Sequence, residues 1–207
     1  LLRLSEERGF LSKTGNDGHR LFQFTLSKSC AYWQYRFMDF IEYESALGKN
    51  IIVAANAEDI KEAEKAYAGH SSGDRFLREY EESVLVHSTT SEAYSLILKS
   101  GCLKSWNVLK SENAAGEKEP IGRLLGDPED YSDYIMFGGR GCFNELVVLS
   151  KQKGEVITDI HKEYEAGVRM YFDAEKIAEN GLLIRDGAHL KARGKLSINP
   201  YLIWTAT

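Results

Sequence analysis

The sequence predicts an α+β fold, and three observations carry that prediction. From residue 84 onward the chain has many short apolar runs and few helical stretches, so strands and helices are segregated rather than wound as βαβ units. Upstream, two stretches with helical spacing flank a single short apolar run at 51–55. The composition is that of a packed chain: 207 residues, 43% hydrophobic and 11% aromatic, which excludes a disordered or low-complexity protein.

Each element has its own warrant. Residues 1–20 are broken by Gly9, Gly15 and Gly18 around Asn16-Asp17, a turn signature that leads into an alternating strand over 20–26. Ser27 or Ser29 is positioned to cap a helix over about 30–47 that stops at Gly48. Trp33, Phe37, Phe40, Ile41 and Leu47 recur on one face of that helix, the pattern of a core-facing stripe. Residues 51–55 read as a buried strand, and Asn56 or Glu58-Asp59 opens a second helix ending at Tyr67. The stretch 69–74 is the most linker-like in the chain. The expected division is therefore an N-terminal α/β region, 1–75, and a second domain, 76–207.

In that second domain, residues 84–87 form a strand running into Ser88-Thr89-Thr90, and a helix follows from Ser91 until Gly101 stops it. Residues 105–128 are polar and rich in turn formers. Strands are expected at about 133–137, 144–150, 167–173, 188–191 and 195–204, with a short helix from Ala174 to Asn180.

Charge and cysteine content narrow the function classes. With 26 basic and 31 acidic side chains the formal charge is −5, which argues against a protein that coats nucleic acid non-specifically. Cys30, Cys102 and Cys142 are too few and too dispersed for a zinc ribbon or a disulfide framework, and the odd count favours reduced thiols and a cytoplasmic setting. No run of 18 apolar residues is present, so no membrane span is expected, and no apolar signal-peptide core follows Leu1. The histidines at 19, 70, 87, 161 and 189 lack metal-ligand spacing, so no metal is expected. No P-loop, G-x-G-x-x-G, G-x-S-x-G or H-E-x-x-H occurs.

The informative stretch is Val84-Leu85-Val86-His87-Ser88-Thr89, followed by a helix with the pair Ile97-Leu98 and then Gly101-Cys102-Leu103. An apolar strand ending in His-x-Thr, a short helix and a Gly-x-Leu turn resemble the first motif of the ADP-ribosyltransferase superfamily, close to the RNA 2′-phosphotransferases and the toxins that ADP-ribosylate DNA. The resemblance extends over about 84–204. Residues 133–138 resemble the central strand of those enzymes and 145–150 the next one. Residues 170–177 with Asn180-Gly181 resemble the phosphotransferase strand-helix-Gly pattern, and 198–202 its Pro-x-Tyr-Leu ending.

The resemblance implies a split antiparallel β core and NAD as substrate, with transfer of ADP-ribose to a macromolecular acceptor, nucleic acid or protein. His87 and Thr89, with Ser88 between them, would hold a ribose; imidazole and hydroxyl can each donate to and accept from ribose oxygens. Arg140, in the turn Gly138-Gly139-Arg140-Gly141, would clamp the pyrophosphate with its planar fork. Tyr94 or Tyr134 would stack on a ring of the nucleotide. Glu145, at the start of the expected 144–150 strand, would be the catalytic carboxylate that stabilises an oxocarbenium-like transition state. The run Arg185, Lys191, Arg193 and Lys195 would meet the phosphates of a nucleic-acid acceptor.

Two departures bear on this. Residues 1–75 lack the Arg-His pair of the phosphotransferases, and no late strand carries an evident equivalent of the toxins' Glu. Two rival readings therefore stand beside the transferase. One is an inactive NAD- or ADP-ribose-binding module. The other is an interaction protein without a nucleotide site, in which His87 is a core histidine and the aromatic helix an interface.

Overall fold

A computed structural model describes residues 1–7, 12–15, 22–115, 119–124, 127–139, 144–159, 161–187 and 189–207. The first elements are β1 (Leu2–Ser5), β2 (Ser12–Gly15), β3 (Phe22–Ser27), α1 (Trp33–Ala46), β4 (Val53–Ala54) and α2 (Ala57–Tyr67). Next come β5 (Val84–Thr89), α3 (Ser91–Ser100), β6 (Cys102–Lys104), α4 (Trp106–Ser111), α5 (Ile121–Leu124) and β7 (Tyr134–Met136). The chain closes with α6 (Asn144–Lys153), β8 (Val168–Asp173), α7 (Ala174–Glu179), β9 (Ile184–Arg185), β10 (Leu190–Arg193), β11 (Lys195–Ser197) and β12 (Leu202–Ala206). The class is α+β.

Two units divide the chain. The first holds Leu1–Asp74 together with Arg78–Tyr80 and Ile184–His189; the second holds the remainder. In the first unit the strand order is β2-β3-β1-β4, with β2–β3 antiparallel and the β1 pairings parallel. Its core is Leu2, Phe24, Leu26, Trp33, Phe37, Phe40 and Ala63. Phe24 and Phe40 meet with ring centroids 4.5 Å apart. Of the expected core-facing stripe, Trp33, Phe37 and Phe40 are buried and Ile41 packs against them, whereas Leu47 lies just past the end of α1 and is 38% exposed.

In the second unit every described ladder is antiparallel: β12–β8, β8–β5, β7–β10 and β6–β11. β5 sits beside β8 and is joined on its other edge by the bridge between Val86 and Gly138, whose two N–H···O bonds are 2.8 and 2.9 Å. Leu85, Ile135, Phe137, Val168, Met170 and Phe172 fill the core between these strands and α7.

Several expected elements are corrected. Residues 144–150 form the helix α6 rather than a strand. Leu146, Val147, Val148 and Leu149 are a four-residue apolar run that fits either period. The ends decide it, with Glu145 in the first turn and Lys151 and Lys153 in the last, each favourable to the helix dipole. The stretch 105–128 is not all turn; Ser105 accepts from the Val108 N–H and caps α4. The expected 195–204 strand is two strands, β11 and β12, separated by a turn at 198–201. Expected strand 188–191 begins instead at Leu190 and is β10, and only Val53–Ala54 of 51–55 pairs. Helix α1 starts at Trp33 behind Tyr32 with no side-chain cap; the Ser27 hydroxyl instead donates to the Glu7 carbonyl and accepts from the Ser29 N–H at 3.1 Å.

Candidate functional site: the end of strand β5

The apolar run 84–86 becomes a strand because its residues alternate between two packed faces. Cross-strand register pairs His87 with Met170, Ser88 with Arg169 and Thr89 with Val168. His87 and Thr89 therefore share the face of Leu85, Met170 and Phe172, while Ser88 shares the opposite face with Arg169. Thr90 then leaves the strand and caps α3, accepting from the Ala93 N–H at 3.2 Å, and Gly101 ends that helix at φ 68°.

The His87 ring has a defined state. Its Nδ1 lies 3.3 Å from the Met136 carbonyl oxygen, and the ring meets Phe137 edge-on. Burial, helped by the nearby Lys151 ammonium, lowers its pKa to about 3. A carbonyl only accepts, so a neutral ring facing it carries its proton on Nδ1 and leaves the Nε2 lone pair as an acceptor.

Lys151 was not foreseen from the sequence. It projects from the last turn of α6, and its Nζ donates to the Ser88 carbonyl at 2.7 Å. Burial pulls its pKa down to about 8. Among the described residues no carboxylate pairs with it. The Ser88 hydroxyl, on a residue only 6% exposed, has no hydrogen-bond partner among them either. Helix α6 can approach the strand end because Gly167 has no side chain. A Cβ there would stand 2.5 Å from both the Thr89 carbonyl oxygen and a Val148 methyl.

The remaining expected residues fall as follows. Glu145 is in the first turn of α6, not on a strand, and its carboxylate is ion-paired with Arg169, the residue opposite Ser88. His87, Ser88, Thr89 and Glu145 are thus brought to one end of the β5–β8 ladder. Tyr94 packs against the core cluster from α3. Tyr134 is 7% exposed, and the Lys191 ammonium lies 4.4 Å from its ring centroid. Arg140 lies outside the described residues. The run 185–195 is divided: Arg185 and Lys191 are 1% and 0% exposed, whereas Arg193 and Lys195 are exposed, Lys195 being paired with Glu112 at 2.6 Å. Lys191 lies on β10, the central strand of its sheet, with its ammonium 4.0 Å from the Tyr131 ring centroid, and Arg185 donates to the Asp74 carbonyl at 2.8 Å; neither partner is apparent from the charge run itself.

The first unit holds a second group of buried charges. Arg78 pairs with Asp39, donates to the Ser71 carbonyl at 2.7 Å and to Asp74 at 3.2 Å, and lies over the rings of Tyr35 and Tyr67. Tyr67 donates to Asp39 at 2.8 Å. Burial raises the Asp39 pKa to about 6 against the pull of Arg78. The signal for this network was Asp39 standing between Phe37 and Phe40 on the α1 core face. A carboxylate there must find a cation.

Among the described residues no three His, Cys, Asp or Glu side chains converge as a metal site. No described helix is long and apolar enough to cross a membrane. Comparison with family models, with curated proteins and with solved structures finds no match for this chain.

Proposed function

We propose that the second unit binds NAD at the C-terminal end of β5 and transfers its ADP-ribose to a macromolecular acceptor, nucleic acid or protein. The observation that carries this reading is the neutral His87 ring, whose Nδ1–H is engaged by Met136 and whose Nε2 is an acceptor for a ribose hydroxyl. Supporting it are the strand-helix-Gly order through Gly101 and the presence of Glu145 beside the same ladder end. In the reaction, the bond between nicotinamide and its ribose breaks, and the electron pair leaves with nicotinamide. The acceptor nucleophile then bonds the ribose carbon and gives up its proton. Glu145 would stabilise the positive charge that develops on the ribose.

The ion pair with Arg169 favours a second reading. A carboxylate already neutralised by a guanidinium is less able to offset charge on the sugar, which suits a module that binds NAD or ADP-ribose without cleaving it. Release of nicotinamide from NAD separates the two. The transferase releases it, and Glu145→Gln abolishes release while leaving NAD binding intact. Binding by the intact protein with no nicotinamide released overturns the transferase in favour of the module.

A further inference from the structure

We infer that Lys151 and Ser88 form an oxyanion subsite that takes a phosphate-class oxygen at the end of β5. The inference rests on the nucleotide reading above only for the identity of the natural ligand; the subsite stands on its own geometry. An ammonium has three N–H donors, and the Ser88 carbonyl uses one of those on Lys151. Only a few covalent bonds separate that carbonyl from the Ser88 hydroxyl, which is buried and has no partner among the described residues. One locus therefore holds a half-buried ammonium with a single protein partner and a buried hydroxyl with no acceptor among the described residues.

Buried charges are held in proteins by an opposite charge, and buried hydroxyls by an acceptor. The described residues supply neither here. The nearest carboxylate on α6, Glu145, is taken by Arg169. A tetrahedral oxyanion satisfies both groups at once, accepting from the ammonium and the hydroxyl through separate oxygens. A neutral sugar hydroxyl would leave the ammonium uncompensated. Helix α6 is held in place for this by the close approach at Gly167, so the ammonium is positioned by the fold rather than by a free side chain.

The chemistry is shared by the diphosphate of a dinucleotide and the phosphodiester of a nucleic-acid acceptor, and the test separates them. Inorganic pyrophosphate is titrated into the whole protein and its Lys151→Met, Lys151→Arg and Ser88→Ala variants, with circular dichroism confirming the fold of each. Pyrophosphate should bind the intact protein. Lys151→Met should weaken it about ten- to hundredfold and Ser88→Ala several-fold, with Lys151→Arg recovering part of the loss. Displacement of pyrophosphate by NAD assigns the subsite to a nucleotide diphosphate; displacement by a single-stranded oligonucleotide and not by NAD assigns it to an acceptor backbone and removes the nucleotide reading while keeping the subsite. Equal pyrophosphate affinity in the intact protein and a folded Lys151→Met variant, or none in either, overturns the inference.

Discussion

Arg78 is a buried cation and Lys151 a half-buried one, and the chain treats them in opposite ways. Arg78 in the first unit is met by Asp39, Asp74, the Ser71 carbonyl and two tyrosine rings. Lys151 in the second unit is met by one carbonyl, beside a hydroxyl with no partner among the described residues. A buried cation held by several partners ties segments together, and here it anchors Arg78–Tyr80 to α1. An under-satisfied one costs stability in the free protein, and such a cost is characteristic of places where a ligand completes the structure.

The comparison can be broken from either side. The largest effect is expected from Arg78→Met, which leaves Asp39 buried without its cation and should cost about 3–5 kcal/mol in urea unfolding. The double variant Asp39→Leu with Arg78→Met should recover most of that loss. If Arg78→Met alone is neutral, the pair is not the anchor described.

His87 gives the next effect, through acid. Its folded pKa of about 3 lies below the ordinary value of 6.5, so below pH 6.5 the unfolded chain takes up a proton that the native ring refuses. Stability from this site is fully present above 6.5 and falls by about 1.4 kcal/mol per pH unit below it, until the ring itself titrates near 3. His87→Gln keeps a donor for Met136 and should flatten the stability profile between pH 6.5 and 4 relative to the parent. An unchanged slope would show that the ring is not held neutral.

Lys151 has the same sign at higher pH. The unfolded side chain binds its proton up to about 10.5 and the native one only to about 8. Stability therefore rises as pH rises from 8 toward 10.5, and below 8 the cost is complete. Lys151→Met should stabilise the protein at pH 7 by on the order of 1–2 kcal/mol, a gain that shrinks by pH 10. A destabilised variant would mean that the amine is better satisfied than its single carbonyl implies. Glu145→Gln is the smallest expected change, within about 1 kcal/mol, because the pair with Arg169 is exposed by roughly two-fifths on each side chain.

Sequence reading and structure parted where local pattern and tertiary environment carry different information. Capped, periodic elements were legible: Asn56 caps α2 through the Asp59 N–H, Asp173 caps α7, and Gly101 and Gly181 stand at left-handed φ just past their helices. The β5 end was legible because a β-branched apolar run stops at polar residues. Helix α6 was not, since four consecutive apolar residues suit a buried strand as well as a helix. Lys151 was invisible for a related reason: a lysine in a last turn is ordinarily a solvated dipole partner, and only the approach of that turn to the Ser88 carbonyl makes it more. The burial of Arg185 and Lys191 was not legible, because Lys191 and Arg193 share one face of β10 and only the rings of Tyr131 and Tyr134 over Lys191 set them apart.

The central claim is that the end of β5 is a nucleotide site organised by His87. Calorimetric titration of NAD into the intact protein and into His87→Ala tests it most directly. The account predicts micromolar binding to the parent and its loss in the variant, with the variant's fold verified by circular dichroism. No heat and no thermal shift at millimolar NAD, or equal affinity in both proteins, would contradict it.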